Sequence, residues 1–176
     1  MYEEFRTDQF ADSFLGVWKR VMSDPRGFFQ DMPLRGGLQG PLVFLVLCLI
    51  VSALGFLIFG PRGLGLALVI SGTIRSFVYA AVFLGVARFL FAGTGDYEAS
   101  YRVVAYSSAP FALLWIPLVG HLSPLYAMFL LIVGLERAQG FDAVKSVLTV
   151  LLSSIVLVAV GWSLGLHHWM HVGVYR

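Results

Sequence analysis

Charged side chains are scarce in this sequence, and their scarcity excludes a chain that folds in water. Lys, Arg, Asp and Glu together make up 12% of the 176 residues, whereas hydrophobic residues make up 59%. Soluble domains carry about 25% charged residues. The formal net charge is only +2 and the basic residues are scattered along the chain, so we do not expect nucleic acid as a partner.

Cysteine is also nearly absent, and so are the motifs of catalytic sites. Cys48 is the only cysteine, which excludes an intramolecular disulfide and leaves no second thiol for a metal site. The sequence contains no Gly-x-Ser-x-Gly elbow and no His-Glu-x-x-His run. It also contains no pair of carboxylates within its apolar stretches. We therefore predict a protein that is not an enzyme and that needs no cofactor.

What the sequence has in abundance is long apolar windows. At about 1.5 Å of rise per residue, a window of about 18 or more residues matches a hydrocarbon core of roughly 30 Å. We predict an all-α polytopic membrane protein with about five transmembrane helices, in a domain over residues 41–165. The predicted spans are residues 41–59, 69–91, 101–119, 124–137 and 142–164. Residues 63–75 either belong to the second span or lie at the interface, and residues 166–176 are predicted as an interfacial tail.

Residues 1–40 precede the first span and are predicted to lie on the cytosolic side. Between Phe10 and Met22, apolar residues recur at helical spacing with polar residues on the other side, which predicts an amphipathic helix. Asp24 and Pro25 are typical of the start of a second, short helix. The aromatic side chains either pack on the protein's own cytosolic face or lie in the lipid headgroup layer. The candidates for this interfacial role are Phe14, Trp18, Phe28 and Phe29.

The distribution of Lys and Arg predicts the orientation in the membrane. With five crossings, nearly all of these residues fall on the side of the N-terminus, and only Arg62 and Arg176 fall on the other. We expect a multi-pass protein of the cell (inner or plasma) membrane, with the N-terminus cytoplasmic and the C-terminus extracytoplasmic.

The third predicted span contains a helix break. Pro110 has no N–H to donate to the Tyr106 carbonyl, and a freed carbonyl in lipid needs another partner. The hydroxyls of Ser107 and Ser108 are the local candidates. Transporters build midplane sites from such broken helices, but a proline kink satisfied by its neighbours is ordinary in membrane helices. The segment is therefore a candidate ligand or ion site, with a structural kink as the alternative.

Arg75 lies inside the second predicted span. A guanidinium in the hydrocarbon region costs about 2.5–3.5 kcal/mol on insertion scales, so it needs a polar partner or a route to water. We hypothesise that Arg75 donates to the carbonyls loosened at Pro110. The alternative is that its side chain extends outward to the interface.

Two further patterns are weaker. Gly72, Ser76 and Ala80 repeat at four-residue spacing, which indicates close helix packing either within the chain or between the subunits of a homo-oligomer. His167 and His171 lie four residues apart, which makes them a weak metal-site candidate. Two ligands do not make a site, and no metal site is predicted.

Several short motifs follow one another along the chain. They are Trp18, Pro25 with Phe28-Phe29, Gly36-Gly37, the loop motif of Gly95, Asp96, Tyr97 and Arg102, Tyr106 to Pro110, and Gly140-Phe141. Their order resembles the Yip1-domain family in its short prokaryotic form, over about residues 18–155. The resemblance implies five transmembrane helices, a cytosolic N-terminus and no catalytic activity. Eukaryotic relatives are associated with Rab GTPases, membrane trafficking and membrane shape, but their long N-terminal region is missing here, so Rab-type partners are not expected.

The function predicted from the sequence is non-enzymatic organisation of the membrane or of partner proteins. The expected partners are membrane lipids and a membrane or cytosolic protein. The alternative is a small channel or transporter with its site at the broken third helix and Arg75.

Overall fold

The described part of the protein is entirely helical. The structure is a computed structural model that describes residues 10–59 and 64–163. Within these ranges it has no strand, and the all-α class is confirmed. Its elements are α1 (Phe10–Ser23), α2 (Pro25–Asp31), α3 (Gln39–Phe59), α4 (Leu64–Phe91), α5 (Tyr97–Tyr106), a 3-10 helix (Ala109–Leu113), α6 (Val119–Gln139) and α7 (Ala143–Ser163).

Four of these helices are long and apolar enough to cross a membrane. They are α3, α4, α6 and α7, which confirms a polytopic membrane protein. The count of five spanning helices is not confirmed, because the third predicted span, residues 101–119, is not one helix. It is divided between the end of α5, the 3-10 helix and a turn before α6.

Contacts place the ends of these elements in two groups. At one end of the bundle, Arg88 of α4 donates to the Gly95 carbonyl at 2.9 Å, and the Gly95 N–H donates to the side chain of Gln139 in α6 at 3.0 Å. We call this the Gly95 end. At the other end, the Trp115 ring stacks on Phe59, the last residue of α3, with ring centroids 5.3 Å apart. We call this the Trp115 end. Residues 97–118 therefore run the length of the bundle as a composite segment.

Local capping residues define several helix ends as predicted. Asp24 precedes α2 and accepts from the Gly27 N–H at 3.0 Å, with Pro25 as the first helical residue. Asp142 accepts from the Lys145 N–H at 2.8 Å at the start of α7. Gly140 ends α6 with a φ of 68°.

The start of α6 differs from the prediction. The helix begins at Val119 rather than at residue 124, and Pro124 lies inside it. Proline suits the first helical position, which is why the sequence pattern favoured a start at that residue. Here the helix extends one turn further because the Gly120 N–H donates to the Ile116 carbonyl at 2.7 Å and joins α6 to the preceding turn.

Helices α1 and α2 form an N-terminal hairpin, residues 10–31, that packs on the bundle. Phe28 and Phe29 are fully buried, so the structure favours the first of the two interpretations of these aromatics: they contact the protein itself and not the headgroup layer. The Phe28 ring meets Tyr106 edge-on with centroids 5.0 Å apart, and Tyr106 contacts Phe44 of α3 at 5.2 Å. Phe14 of α1 lies 5.5 Å from Phe44. One aromatic cluster thus joins α1, α2, α3 and α5.

The stripe of small residues in α4 is used for packing within the chain. A side chain at Gly72 would collide with Leu49 of α3, and the Ser76 hydroxyl lies 3.5 Å from the Tyr101 hydroxyl of α5. Ala80 is fully buried. These contacts explain the four-residue spacing without a second subunit.

Candidate functional site

The helix break between α5 and the 3-10 helix lies in the middle of the composite segment. The Ser107 N–H still donates to the Val103 carbonyl at 2.9 Å, as in an α-helix, whereas the Ser108 N–H donates three residues back to Ala105 at 3.2 Å. The chain then continues as a 3-10 helix with Pro110 in its first turn. Because Pro110 lies in the first turn of the 3-10 helix, where an N–H would have no acceptor within that helix, its missing N–H costs the helix no hydrogen bond.

Two donors satisfy carbonyls at the break. The Ser108 hydroxyl donates to the Ala105 carbonyl at 2.6 Å, so one of the predicted local hydroxyls serves the backbone, although at Ala105 rather than at Tyr106. The second donor is the indole N–H of Trp18, which reaches the Ala109 carbonyl at 2.9 Å. Trp18 was predicted to be interfacial. It is half-buried, and its polar atom points at the break.

Two buried hydroxyls, one at the break and one on the neighbouring helix α3, lack hydrogen-bond partners in the described part of the chain. Ser107 Oγ has no hydrogen-bond partner among the described residues, and neither has Ser52 Oγ of α3. Cys48 is one turn from Ser52 on the same face of α3, and its thiol lies close to the Ser108 side chain. An unsatisfied buried hydroxyl costs about 1–3 kcal/mol. The hydroxyls of Ser107 and Ser52 are therefore the polar groups that a small ligand or a water molecule near the break would satisfy.

Arg75 does not join this break. Its Nε–H donates to the Ser71 carbonyl at 3.2 Å and its Nη2–H donates to the Ser71 hydroxyl at 2.7 Å. The side chain is exposed, and within the described residues it makes no hydrogen bond to residues 106–110. The hypothesised contact with the Pro110 break is therefore replaced by a contact one turn back along α4, because a helical side chain points toward the N-terminus of its own helix.

The loop motif at the Gly95 end contains the N-cap of α5. Asp96 accepts from the Ala99 N–H at 2.9 Å, and Arg35 donates to its second oxygen at 3.3 Å. The Ala99 hydrogen bond has the largest effect and lowers the pKa of the Asp96 carboxyl; burial opposes it, and the hydrogen bond and charge of Arg35 lower the pKa further. Tyr97 follows in the first turn of α5 and donates its hydroxyl to the Phe77 carbonyl of α4 at 3.1 Å.

Glu98 and Arg102 hold the loop that leads into α3. Glu98 accepts the Gly37 N–H at 2.6 Å, and Arg102 donates to the Gly37 carbonyl at 2.8 Å and to Glu98 at 3.3 Å. The Arg102 side chain is fully buried. Gly37 has a φ of 89°, which other residues adopt only with strain. Both backbone groups of one glycine are thus bound by an ion pair from α5.

Gln139 makes the third connection at this end. Its side chain accepts from the Gly95 N–H and donates to the Ser100 hydroxyl at 2.9 Å, and its carbonyl accepts from the Thr94 hydroxyl at 3.2 Å. A Cβ at Gly95 would collide with the Ala138 carbonyl, so glycine is required by this close approach. Sequence reasoning missed Gln139 and the role of Gly37. Two features of the sequence could have indicated them: Gln139 is an isolated amide at the end of an apolar helix, and Gly37 is one of two adjacent glycines before a span.

Most of the site residues contact other parts of the bundle, whereas the hydroxyl of Ser107 has no hydrogen-bond partner among the described residues. Within residues 10–59 and 64–163, no three His, Cys, Asp or Glu side chains come together as metal ligands. The weak metal candidates His167 and His171 lie outside the described residues. The chemistry that the described site supports is hydrogen bonding and charge pairing within a bundle.

The long apolar helices, the broken composite segment and the polar contacts at the Gly95 end together define a multi-pass helical membrane protein. The family model described as the Yip1 domain matches residues 19–165. The chain therefore belongs to the Yip1 family, which confirms the resemblance. No curated protein and no solved structure gave a significant match.

Proposed function

We propose that this chain is a non-enzymatic protein of the cell membrane that organises the bilayer, and through it partner proteins, by having a larger cross-section at the Gly95 end than at the Trp115 end. The observation that carries the proposal is the position of the N-terminal hairpin. It adds two helices to the bundle toward the Gly95 end, and on α6 its contacts stop at Tyr126.

Contacts with α6 define how far the hairpin reaches. Phe29 lies against Gly134, one to two turns before the C-terminal end of α6. The Tyr126 hydroxyl donates to the Met22 carbonyl at 2.8 Å, which marks the far end of the hairpin contact. Leu122 and Leu125, beyond that point, are exposed, whereas Leu130 and Leu135 are buried. The hairpin therefore covers α6 from Tyr126 to the Gly95 end and leaves the seven residues before Tyr126, at the Trp115 end, uncovered.

Helix α3 has the same asymmetry. In α3, Phe44 and Leu45 are buried, whereas Leu57, Ile58 and Phe59 at the Trp115 end are each about 70% exposed. A protein that occupies more area in one leaflet than in the other is favoured in membranes whose curvature expands the first leaflet. Amphipathic helices that insert into one leaflet sense curvature in the same way. With the N-terminus cytoplasmic, as the distribution of Lys and Arg favours, the expanded leaflet is the cytoplasmic one.

The test is the distribution of the full-length protein among reconstituted vesicles of different diameter. We expect the fluorescently labelled protein, inserted with the Gly95 end outward, to have a higher density per membrane area in small vesicles than in large ones. The inverted orientation, separated by protease accessibility, should have the opposite preference. A density that is independent of diameter in both orientations would overturn the proposal.

The second candidate function is a small channel or transporter, and the buried hydroxyls of Ser52 and Ser107 favour it. If they line a path, ion or solute flux through liposomes should fall when Ser107 is replaced by alanine. Arg75 bonds to Ser71 and not to the break, although the sequence predicted both as one site. Comparing Arg75→Ala with Ser107→Ala therefore shows which of the two regions a transport path uses. Flux that is lost with Arg75→Ala but not with Ser107→Ala would place the path along α4, and liposomes with no flux above empty vesicles would exclude transport of the solutes tried.

A further inference from the structure

Arg75 is a cation on an otherwise apolar, outward-facing surface. It is the only charged residue between Gly65 and Ala87 of α4. Its side chain is exposed, and so are Ile70, Ile74 and Val78 around it. In a bilayer this surface meets acyl chains, where an isolated guanidinium costs about 2.5–3.5 kcal/mol. An anion within reach of the guanidinium would offset that cost.

The side chain is directed toward the Trp115 end. Its guanidinium donates two hydrogen bonds to Ser71, one turn closer to the N-terminus of α4. The α4 span runs from Gly65 to Phe91, so Arg75 lies ten residues from one end and sixteen from the other. At 1.5 Å per residue these separations are about 15 Å and about 24 Å.

These lengths place the guanidinium close to one membrane surface. The span is about 10 Å longer than a hydrocarbon core of about 30 Å, and an equal overhang at both ends leaves Arg75 Cα about 10 Å below the nearer boundary. Because the side chain extends back to Ser71, the guanidinium lies about one helical pitch, about 5 Å, closer to that boundary than the Cα atom. The charged group then lies about 5 Å below the hydrocarbon boundary, a depth at which local thinning of the bilayer brings lipid phosphates within its reach.

The remaining donors fit a phosphate. Two of the five guanidinium N–H groups are used on Ser71, and three remain. The Ser71 hydroxyl accepts from Arg75, so its own proton is available for a further acceptor. A planar guanidinium beside a hydroxyl matches the oxygens of a phosphodiester better than it matches any neutral group.

We propose that Arg75 and Ser71 form a binding site for the phosphate of an anionic lipid headgroup in the leaflet at the Trp115 end, with the acyl chains along Ile74 and Val78. No carboxylate lies within salt-bridge distance of Arg75 in the described residues, so the site favours a lipid with net negative charge over a zwitterionic one. The inference does not depend on the curvature proposal, because it concerns a single site on α4.

The experiment is a titration of the purified, delipidated full-length protein with phosphatidylglycerol, monitored by native mass spectrometry. We expect Arg75→Gln to weaken binding of the first lipid at least about tenfold, about 1.4 kcal/mol, and Ser71→Ala to weaken it less. The matched control is Arg137→Gln, which removes the same charge from an exposed position near the Gly95 end and should leave the affinity unchanged. Circular dichroism of each variant verifies that the helices are retained.

Four results would overturn the proposal. One is equal affinity of Arg75→Gln and the unaltered protein for phosphatidylglycerol, and another is an equal affinity of the unaltered protein for phosphatidylcholine. The third is a change in oligomeric state with Arg75→Gln at unchanged lipid affinity, which would assign the guanidinium to a second copy of the chain. Displacement of bound lipid by millimolar inorganic phosphate would show a site for the free ion instead and would equally refute the assignment to a lipid.

Discussion

Trp18 and Ala109 are 91 residues apart in the sequence, yet the indole N–H of the first donates to the carbonyl of the second at 2.9 Å. The bond connects the amphipathic helix α1 to the backbone just past the break in the composite segment. It gives the N-terminal hairpin a structural task, because a carbonyl freed near a proline in a lipid-embedded bundle requires a donor from elsewhere. The hairpin is therefore part of the membrane domain and not an appendage to it.

Replacing Trp18 by phenylalanine should destabilise the protein. The substitution keeps an aromatic ring but removes the donor, so the Ala109 carbonyl loses its partner and the free energy of unfolding should fall by about 1–3 kcal/mol. Thermal unfolding in detergent, followed by circular dichroism, measures the change. Leu15→Ala, on the exposed side of the same helix, should have little effect, and equal stabilities of the unaltered protein and Trp18→Phe would contradict the assigned bond.

The buried ion pair should matter far more than the exposed one at the same end of the bundle. Arg102→Ala leaves the carboxylate of Glu98 and the carbonyl of Gly37 without their buried partner, and we expect a loss of about 3–5 kcal/mol. Arg35→Ala removes a cation whose side chain is 84% exposed, and its loss should be below about 1 kcal/mol. Comparable unfolding midpoints for the two variants would refute the role given to Arg102.

Gly37→Ala tests the backbone conformation of the loop and not the room available for a side chain. An added Cβ meets no atom within 4 Å, but the φ of 89° is unfavourable for alanine, so we expect a loss of about 1–2 kcal/mol. Gly85 in α4 is the matched control, because its Cβ would also meet nothing and its backbone is helical. Gly85→Ala should stabilise the protein by up to about 1 kcal/mol. Effects of the same sign for both substitutions would contradict the conformational explanation.

The pKa of Asp96 makes a small part of the stability dependent on pH. Because the pKa is lowered in the folded protein, the carboxylate stabilises the fold above the unfolded value of about 3.9 and loses this effect as pH falls through the folded pKa. Asp96→Asn retains a capping oxygen but no charge, and at pH 7 it should cost about 0.3–1 kcal/mol. The side chain is 38% exposed, which favours the lower part of that range.

Unfolding curves of the unaltered protein and of Asp96→Asn, recorded at pH 7 and at about pH 3, measure this effect. The difference between the two proteins should be largest at pH 7 and should shrink toward pH 3, where the carboxyl of the unfolded chain is mostly protonated. A difference of constant size across this range would show that the charge of Asp96 contributes nothing.

The threading of the composite segment is tested by cysteine labelling. Cys48 is buried and is replaced by serine, and single cysteines then take the place of Arg35, Lys145 and Leu118. In intact cells or sealed vesicles, we expect a membrane-impermeant maleimide to reach positions 35 and 145 from one side and position 118 from the other. Labelling of all three from the same side would show that residues 97–118 do not cross the bilayer.

Features that depend on neighbouring residues were predictable from the sequence. Asp24, Asp96 and Asp142 cap helices within three residues of themselves, and Gly140 ends α6 through its own φ. The break at Pro110 was also predictable, because a proline disturbs the turn that precedes it. Each of these inferences needs only one turn of backbone.

Features that depend on distant partners were not predictable. Gly37 is bound by Arg102 from 65 residues away, and Gly95 is bound by Gln139 from 44 residues away. Arg75 was expected to contact the Pro110 break but bonds to Ser71 of its own helix, because depth along two helices does not reveal which side chains face each other. Phe28 and Phe29 suit a headgroup layer and a protein core equally well by composition.

The sequence by itself determined that this protein is a helical membrane protein, because apolar length and helix caps act locally and lipid forces each backbone segment to satisfy its own hydrogen bonds. The order of its motifs indicated the Yip1 family, to which the family model assigns it. Only the tertiary structure decided which donor serves the broken segment, and that the amphipathic N-terminus packs on the bundle. Those outcomes depend on which surfaces meet when the helices assemble. Periodicity identifies the face that each helix buries, but it does not identify the partner.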